Sequence, residues 1–413
     1  MRKWMICFLL MTAAVFGQET ARIMTYNLLQ YDTATDRNGA FRTVVGAIDP
    51  DIIVTQEVES FNGVTNFLTN VLNFSGNDYS AGSFIDGPTS DNAIFYKDSL
   101  FTFVSNTPIL TDLRHINQFK MVYKPSNDTL LFFGVHLKAS QGVDNEMRRL
   151  SEVQSLRAVT DALPGDENFI VLGDMNVYRS DEPAYEALLH LDQGAIGAVH
   201  DPVNLPGNWH NNSGFSNIHT QSTRISGGNG SGGGLDDRFD QILVSTNIDV
   251  PSGVKVVPGS YHSFGNDGAH FNQAINSPPN QAVSAVVANA LLATSDHLPV
   301  VLELQFETPT GITDNGPLLP EKVTLYQNFP NPFNPSTIIS YEVATASDVA
   351  LVIYDVLGRK VHTLVNEKRQ TAGKYEVVWD GRDFRGQPVS SGIYIYRIEA
   401  DGIAQNRRML LLR

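Results

Sequence analysis

Eight polar residues, each placed where an apolar run ends, carry the chemistry that this sequence can support: Asn27, Glu57, His136, Asp174, Asn176, Asp240, Asp296 and His297. Four are carboxylates, two are carboxamides and two are imidazoles. The densest stretch is Thr294-Ser295-Asp296-His297-Leu298-Pro299-Val300-Val301, an acid and an imidazole directly ahead of a β-branched run that reads as a strand. Groups on a loop held by a rigid strand are well placed for catalysis. One polar residue at a strand end is ordinarily a turn cap. Eight of them at the ends of apolar strands imply that the strands converge on one sheet edge.

The set suits hydrolysis of a phosphate ester. A hard cation such as Mg2+ takes carboxylate oxygens at about 2.1 Å and keeps several waters. Mn2+ and Ca2+ are further candidates. Glu57 is the leading ligand, with Asn27 and Asp296 beside it. The cation would polarise a phosphoryl oxygen. A neutral His297 would take a proton from water, a step worth roughly 10²–10⁴-fold in rate. Asp240 would orient that ring through its other nitrogen. Asp174 and Asn176 would position the water or the phosphoryl oxygen, and His136 would donate to the phosphate. No serine or cysteine nucleophile is required.

The elements that must position these groups alternate irregularly. Arg22–Leu28 alternates as a strand, and residues 38–48 carry Phe41, Val44, Val45 and Ile48 at helical spacing. Asp51–Glu57 reads as a buried strand, residues 60–73 as a helix, and segments near 92–97, 100–104 and 118–123 as short strands. Leu130–His136 is a core strand. Residues 144–163 form the clearest helix, stopped by Pro164-Gly165. Further strands end in Gly173-Asp174-Met175-Asn176 and begin at Phe239-Asp240. Residues 207–234, rich in Gly, Asn and Ser, read as a long loop, and 257–290 as a second insertion. Strands and helices do not alternate tightly enough for a doubly wound parallel sheet. The pattern predicts a layered α/β domain of largely antiparallel, packed sheets.

The chain has 413 residues, enough for two or three domains. Met1-Arg2-Lys3 followed by the apolar run Trp4–Phe16 reads as a secretory signal over 1–17, cleaved before Gln18. No other run is long and apolar enough to span a bilayer. The only cysteine, Cys7, lies in that signal, which excludes disulfides and Cys-based zinc sites from the mature chain. Residues 19–305 hold 15 Lys+Arg against 32 Asp+Glu, a net charge of −17. Such a domain lacks the general electrostatic grip of nucleic-acid binders, so any phosphate substrate should bind weakly and transiently.

The segments Thr-Tyr-Asn27, Gln-Glu57, Gly-Val-His136-Leu-Lys, Leu-Gly-Asp174-Met-Asn176, Phe-Asp240-Gln-Ile-Leu and Ser-Asp296-His297-Leu-Pro, in this order, resemble the endonuclease/exonuclease/phosphatase superfamily. That group includes deoxyribonuclease I, exonuclease III, bacterial sphingomyelinases and inositol polyphosphate 5-phosphatases. The resemblance implies a four-layer α/β sandwich over 19–307 and metal-dependent hydrolysis of phosphodiesters or phosphomonoesters. It implies Glu57 on the metal, Asp240–His297 as the base, Asp174 and Asn176 beside the scissile phosphate, and His136 in the place of the first histidine of secreted members. The two insertions depart from the core pattern. Within the second, Asn266, Asp267 and His270 read as turn caps, with a second ion site as the alternative. The missing disulfide sets the chain apart from animal deoxyribonucleases.

Residues 308–320 read as a linker. Beyond it, seven short strands separated by Gly and Pro turns predict an all-β sandwich over 321–413. The segments Asn328-Phe329-Pro330-Asn331-Pro332-Phe333-Asn334-Pro335, Trp379-Asp380-Gly381, Ser391-Gly392-Ile393-Tyr394 and the end Arg-Met-Leu-Leu-Leu-Arg413 resemble a type IX secretion sorting domain. That resemblance implies export by the type IX machinery. A carbohydrate-binding or adhesion sandwich is the alternative, and Trp379 is the one tryptophan it could use. The whole predicts a secreted, monomeric phosphoesterase, foremost a nuclease. Phospholipid head groups or small phosphate esters are alternative substrates, and a non-catalytic surface binding protein is the rival class.

Overall fold

The computed structural model describes residues 19–165, 167–189, 197–228, 230–248, 253–306, 323–326, 328, 331, 333–343, 345–355, 358–400 and 403–412. The expected signal (1–17) and most of the expected linker's surroundings, including 308–320, lie outside them. The chain divides into two compact units, Met1–Thr310 and Gly311–Arg413.

The first unit opens with β1 (Glu19–Tyr31), α1 (Asn38–Ile48), β2 (Ile52–Val58) and α2 (Phe61–Phe67), which runs on as a π-turn over Leu68–Leu72. Then come β3 (Tyr79–Ala81), β4 (Asp91–Lys97), β5 (Phe101–Ile109), β6 (Ile116–Tyr123) and β7 (Asp128–His136). Next are α3 (Val143–Thr160), β8 (Asn168–Asp174), α4 (Pro183–Leu189), β9 (Val199–His200) and β10 (Asp240–Ser245). The unit closes with β11 (Lys255–Val256), β12 (His262–Ser263), α5 (Ala285–Thr294) and β13 (Val300–Phe306).

These strands make two sheets. One has seven strands in the order β11-β13-β1-β2-β4-β3, with β12 also on β13. The other has six in the order β5-β6-β7-β8-β10-β9. Pairing is antiparallel except for β1–β2 and β7–β8. The expected antiparallel bias therefore holds, and both parallel pairs lie under the candidate site.

Alternation along each strand sends neighbours to different cores. In β7, Leu130 and Phe132 join a cluster with Ile23, Ile52, Leu172, Ile242 and Leu302, drawn from both sheets. Leu131, Phe133 and Val135 instead meet Val153 and Leu156 of α3 and Leu188 of α4. On the seven-stranded sheet, Met24, Tyr26 and Ile53 meet Phe41 and Val44 of α1, Phe67 of α2 and Leu291 of α5. Burial on both faces is why β2, β7 and β8 read as continuous apolar runs.

Helices α1 and α3 lie where helical spacing places them. Helix α5 begins inside the expected second insertion and runs past its end, which corrects it. Its sequence, Ala-Val-Val-Ala-Asn-Ala-Leu-Leu-Ala-Thr, is apolar nearly all round, so no polar face marks it. Ser284 caps it by accepting from Val287 N–H, a helix-start signal that competes with the surrounding Pro, Asn and Ser. The short α4 also went unmarked.

One buried ion pair anchors the site's framework. Arg238 donates through Nη1 and Nη2 to Asp201 at 2.8 and 2.9 Å, and Tyr185 Oη donates to the same carboxylate at 2.8 Å. Asp201→Ala strands a buried guanidinium two residues ahead of Asp240. It should cost about 3–5 kcal/mol in urea unfolding, as breaking a buried pair does. A loss below about 1 kcal/mol would show that water already solvates Arg238.

The second unit contains β14 (Val323–Leu325), β15 (Thr337–Val343), β16 (Ser347–Asp355), β17 (Lys360–Gln370), β18 (Gly373–Trp379), β19 (Gly392–Ala400) and β20 (Ile403–Leu411). They form a three-stranded sheet, β14-β15-β18, and a four-stranded sheet, β17-β16-β19-β20, around one shared core. Trp379 is buried against Phe333 and Tyr394 and donates its indole N–H to Arg382 O at 2.9 Å. It belongs to the core and is not available as an exposed sugar platform.

Candidate active site

Strand register places the polar tips together. His136 pairs with Asp174 across β7–β8, and Asp240 pairs with the same Asp174 across β10–β8. Three chemistry-bearing residues from three adjacent strands are thus direct neighbours. From the other sheet, Asn27 lies in β1 opposite Gln56 of β2, where the register breaks before Tyr31, and Glu57 is the next residue of β2. Asp296 and His297 arrive on the turn between α5 and β13.

Local backbone fixes the aim of these side chains. Glu57 sits at φ 58° and Asn176 at φ 51°, left-handed conformations that cost a non-glycine residue of order 1–3 kcal/mol. Gly173 has φ +140°, and a Cβ there would lie 2.0 Å from Val135 O. Only glycine lets β8 approach β7 this closely just before Asp174.

The side chains form one connected network. Asn27 Nδ2 donates to Glu57 Oε1 at 3.0 Å and to Asp174 Oδ2 at 3.2 Å. Glu57 Oε2 accepts from Gln30 N–H at 3.0 Å. His136 Nε2 lies 3.4 Å from Asp174 Oδ2 and 3.9 Å from Glu57 Oε1. Asp174 Oδ1 accepts from Asn176 N–H at 3.1 Å, and Asn176 Nδ2 donates to Leu137 O at 3.2 Å. His297 Nδ1 meets Asp240 Oδ2 at 2.7 Å, and its Nε2 lies 3.8 Å from Asp174 Oδ2. Asp296 Oδ2 accepts from Ser231 N–H at 2.6 Å.

All eight expected residues reach this region, but the ligand geometry differs from the expected trio of Asn27, Glu57 and Asp296. Ligand atoms of Glu57, His136 and Asp174 lie within 4.8 Å of one another. Asn27 turns its N–H donors toward the carboxylates, while its Oδ1 accepts from Leu29 N–H at 2.9 Å. In this arrangement it clamps Glu57 to Asp174 rather than offering an oxygen. Asp296 lies on the His297 side of the site, with Oδ1 buried and unpartnered. The carboxylate oxygens of Glu57 and Asp174 suit a hard divalent cation, and the orphaned Asp296 Oδ1 is a third oxygen of the same kind.

Electrostatics separates the two histidines. Burial holds the His136 pKa well below its usual value, and Arg114 and His297 push it the same way. His136 is therefore neutral. With its proton on Nε2 facing Asp174, Nδ1 is left buried without a partner. Burial alone would lower His297 as well, but the carboxylates of Asp240, Asp296 and Asp174 raise it well above the usual value. A bound cation among these carboxylates would offset that pull.

Burial also pushes Asp174 from the usual 3.8 to about 7, with Asp240 and Glu57 adding to the rise. Folded Asp174 thus holds a proton that the unfolded chain releases. Its contribution to stability is present at low pH and is lost as pH rises from about 4 to about 7. Asp174→Asn should flatten the fall in Tm over that window for cation-free protein, measured against the parent in matched buffers. Mg2+ should raise the parent's Tm more at the top of the window than at the bottom. Parallel Tm–pH curves for parent and variant would contradict the assignment.

Two further features had no mark in the sequence. Gln221 Nε2 lies 2.7 Å from His297 Nε2 and 3.4 Å from Asp296 Oδ2. Thr220 Oγ1 accepts from both Phe239 and Asp240 N–H at 3.1 Å, fixing the start of β10. Both residues lie in the polar 207–234 stretch, where one more Thr or Gln gives no signal. In the second insertion the turn reading holds: Asn266 Oδ1 accepts from Gly268 N–H at 2.7 Å, and Asp267 Oδ1 from Ala269 N–H at 2.9 Å. His270 Nδ1 is 2.7 Å from Asp267 Oδ1.

The model of the Endonuclease/Exonuclease/phosphatase family matches residues 24–297, well over half of the chain and every residue of the network above. The chain belongs to this family. Members of the endonuclease/exonuclease/phosphatase family act on phosphoester bonds. A second match, to the FlgD Ig-like domain, covers residues 334–402 of the all-β unit. No curated protein matches the chain. Similar solved structures include an endonuclease/exonuclease/phosphatase family protein from Bacteroides thetaiotaomicron, with 17% identity over 71% of this chain and 100% of that one, at TM-score 0.43. D. rerio TDP2 complexed with single strand DNA product is 15% identical over 69% of this chain and 98% of that one, at TM-score 0.46. The human Nocturnin catalytic domain with bound sulfate is 18% identical over 70% and 95%, at TM-score 0.45.

Proposed function

We propose that residues 19–307 form a divalent-metal-dependent phosphoesterase, foremost a nuclease, on a four-layer α/β sandwich. The observation that carries this reading is the 2.7 Å Asp240–His297 contact, with the other ring nitrogen 3.8 Å from Asp174 of the Glu57–His136–Asp174 cluster. Glu57 and Asp174, with Asp296 beside them, would hold Mg2+ or Mn2+. The cation would supply Lewis-acid polarisation of the phosphoryl oxygen and offset the local negative charge.

The chain's own groups do the rest. His297 Nε2 takes the proton of the attacking water, and Asp240 fixes the tautomer and steadies the imidazolium that results. Asp174 and Asn176 set the direction of attack. Neutral His136 keeps an N–H for a phosphoryl oxygen as charge develops there. Asn27 holds Glu57 and Asp174 in register.

Substrate class is tested with one panel: plasmid DNA, single-stranded RNA, sphingomyelin vesicles and a small phosphate monoester, each with Mg2+ and with chelator. Metal-dependent cleavage of plasmid or RNA supports the nuclease. Turnover of the vesicles or the monoester alone moves the substrate to lipid head groups or small esters. Inertness toward all four favours the non-catalytic binding class, which retention of all eight residues argues against.

The proposed division is a signal over 1–17, the catalytic domain over 19–307, a linker over 308–320 and a sorting domain over 321–413, in a protein secreted as a monomer. The export reading rests on the Asn-Pro-Phe-Asn-Pro and Ser-Gly-Ile-Tyr segments and the basic end. Removing 321–413 should leave catalysis intact and keep the protein inside a host that has type IX secretion. Unimpaired release of the truncated chain would overturn it.

A further inference from the structure

Gln221 stands where a water activated by His297 would stand. Its amide is 2.7 Å from His297 Nε2. The other ring nitrogen is committed to Asp240 at 2.7 Å. A ring nitrogen forms one in-plane hydrogen bond, so Nε2 cannot hold the glutamine and a water together. The contact survives either form of the ring. The amide offers N–H to a neutral imidazole and, turned over, its carbonyl to an imidazolium.

The backbone around Gln221 is pinned, whereas its side chain is only half-buried. Gln221 N–H donates to Asp237 O at 3.1 Å, and its carbonyl accepts from Asp236 and Asp237 N–H at 2.8 and 3.0 Å. On the flanks, Leu298 N–H donates to Thr220 O at 2.7 Å and Thr223 N–H to Asp296 O at 3.1 Å. Thr223 Oγ1 also donates to Ser295 O at 2.6 Å. The 207–234 stretch is therefore stitched to the turn that carries Asp296 and His297. His297 itself is only 2% exposed.

We propose that Gln221 is a substrate-displaced cap on His297. It holds the water's position on Nε2 until a phosphoryl group binds, and its amide N–H groups then pass to a non-bridging oxygen of that group. Hydrogen bonds to an ionised acceptor are roughly twice as strong as those between neutral partners, which drives the exchange. Water reaches His297 only after the phosphoryl group has arrived. The inference rests on the reading of His297 as the base, and it assigns Gln221 as a residue that selects for an oxyanion beside Asp296.

The test uses the mature full-length chain and two readouts that need no turnover. Diethyl pyrocarbonate acylates accessible imidazoles, and peptide mass mapping gives a rate at His297 relative to exposed His262 in the same sample. Gln221→Ala should speed modification of His297 about tenfold, the worth of one hydrogen bond, with His262 unchanged. Gln221→Asn keeps the amide but is one methylene too short. It should do the same, and it serves where the alanine variant loses its fold. The second readout is the Gln221 side-chain amide NMR signal. His297→Ala should shift it in phosphate-free protein. Inorganic phosphate with Mg2+ should move it in the parent to a position that His297→Ala no longer alters. Unchanged acylation in both variants, or a signal still sensitive to His297 with phosphate bound, overturns the cap. If the cap behaves as described but His297→Ala still hydrolyses ester, the base assignment fails and the cap does not.

Discussion

Glu57→Ala should lower Mg2+-dependent turnover by roughly 10³-fold, the scale of losing one electrostatic group from a transition state. It should also remove the thermal stabilisation that Mg2+ gives the parent. The carboxylate is the most exposed of the Glu57–His136–Asp174 group. Outside the site it supports little: it is the penultimate residue of β2 and belongs to none of the three apolar clusters. Its backbone at φ 58° makes a sharper comparison possible. Glu57→Gly should be about 1 kcal/mol more stable than Glu57→Ala, because glycine has no Cβ to strain in the left-handed region. Both variants should be equally inactive. Near-parental turnover in either would remove Glu57 from the metal site. Equal stabilities would mean that the surroundings, not the residue, impose the conformation.

His297→Ala should cut kcat by roughly 10²–10⁴-fold, the usual worth of a positioned general base. Unlike Glu57→Ala, it should leave the Mg2+-induced rise in Tm close to the parent's, because the short contact of His297 is to Asp240 at 2.7 Å, while its nearest approach to the Glu57–His136–Asp174 group is 3.8 Å, to Asp174. Asp240→Asn should act in the same direction but less severely, since the amide holds the ring while reversing its preferred tautomer. The pair of results separates the two halves of the site. Loss of metal stabilisation in His297→Ala would mean that the imidazole is a ligand and that another group removes the proton.

Much of the site was legible in the sequence for one physical reason. A strand buried on both faces is a long apolar run, and the first polar residue after it must lie at the sheet edge. His136 after Leu130–Val135 and Asp174 after Phe169–Gly173 show this plainly, and the β7–β8–β10 register turns the shared edge into direct contact. What stayed hidden depended on partners far apart in the chain. Gln221 and His297 are separated by 76 positions, and nothing local distinguishes Gln221 from its polar neighbours. Asn27 reads in the sequence as an oxygen ligand, and the two carboxylates that take its N–H donors lie 30 and 147 positions away. Helix α5 lacks the polar face that marks a helix because its exposed side carries Ala285, Val286 and Ala293, with only Asn289 polar. In the all-β unit, Gly and Pro turns sufficed to indicate seven strands, whereas the burial of Trp379 depends on Phe333 and Tyr394 from elsewhere in that unit.

The most direct measurement of the central claim is plasmid cleavage by the mature chain, with Mg2+ and with chelator, beside His297→Ala. The account predicts nicking or trimming that requires the cation and is lost in the variant. Cleavage that persists in chelator, or that His297→Ala leaves unchanged, would contradict it.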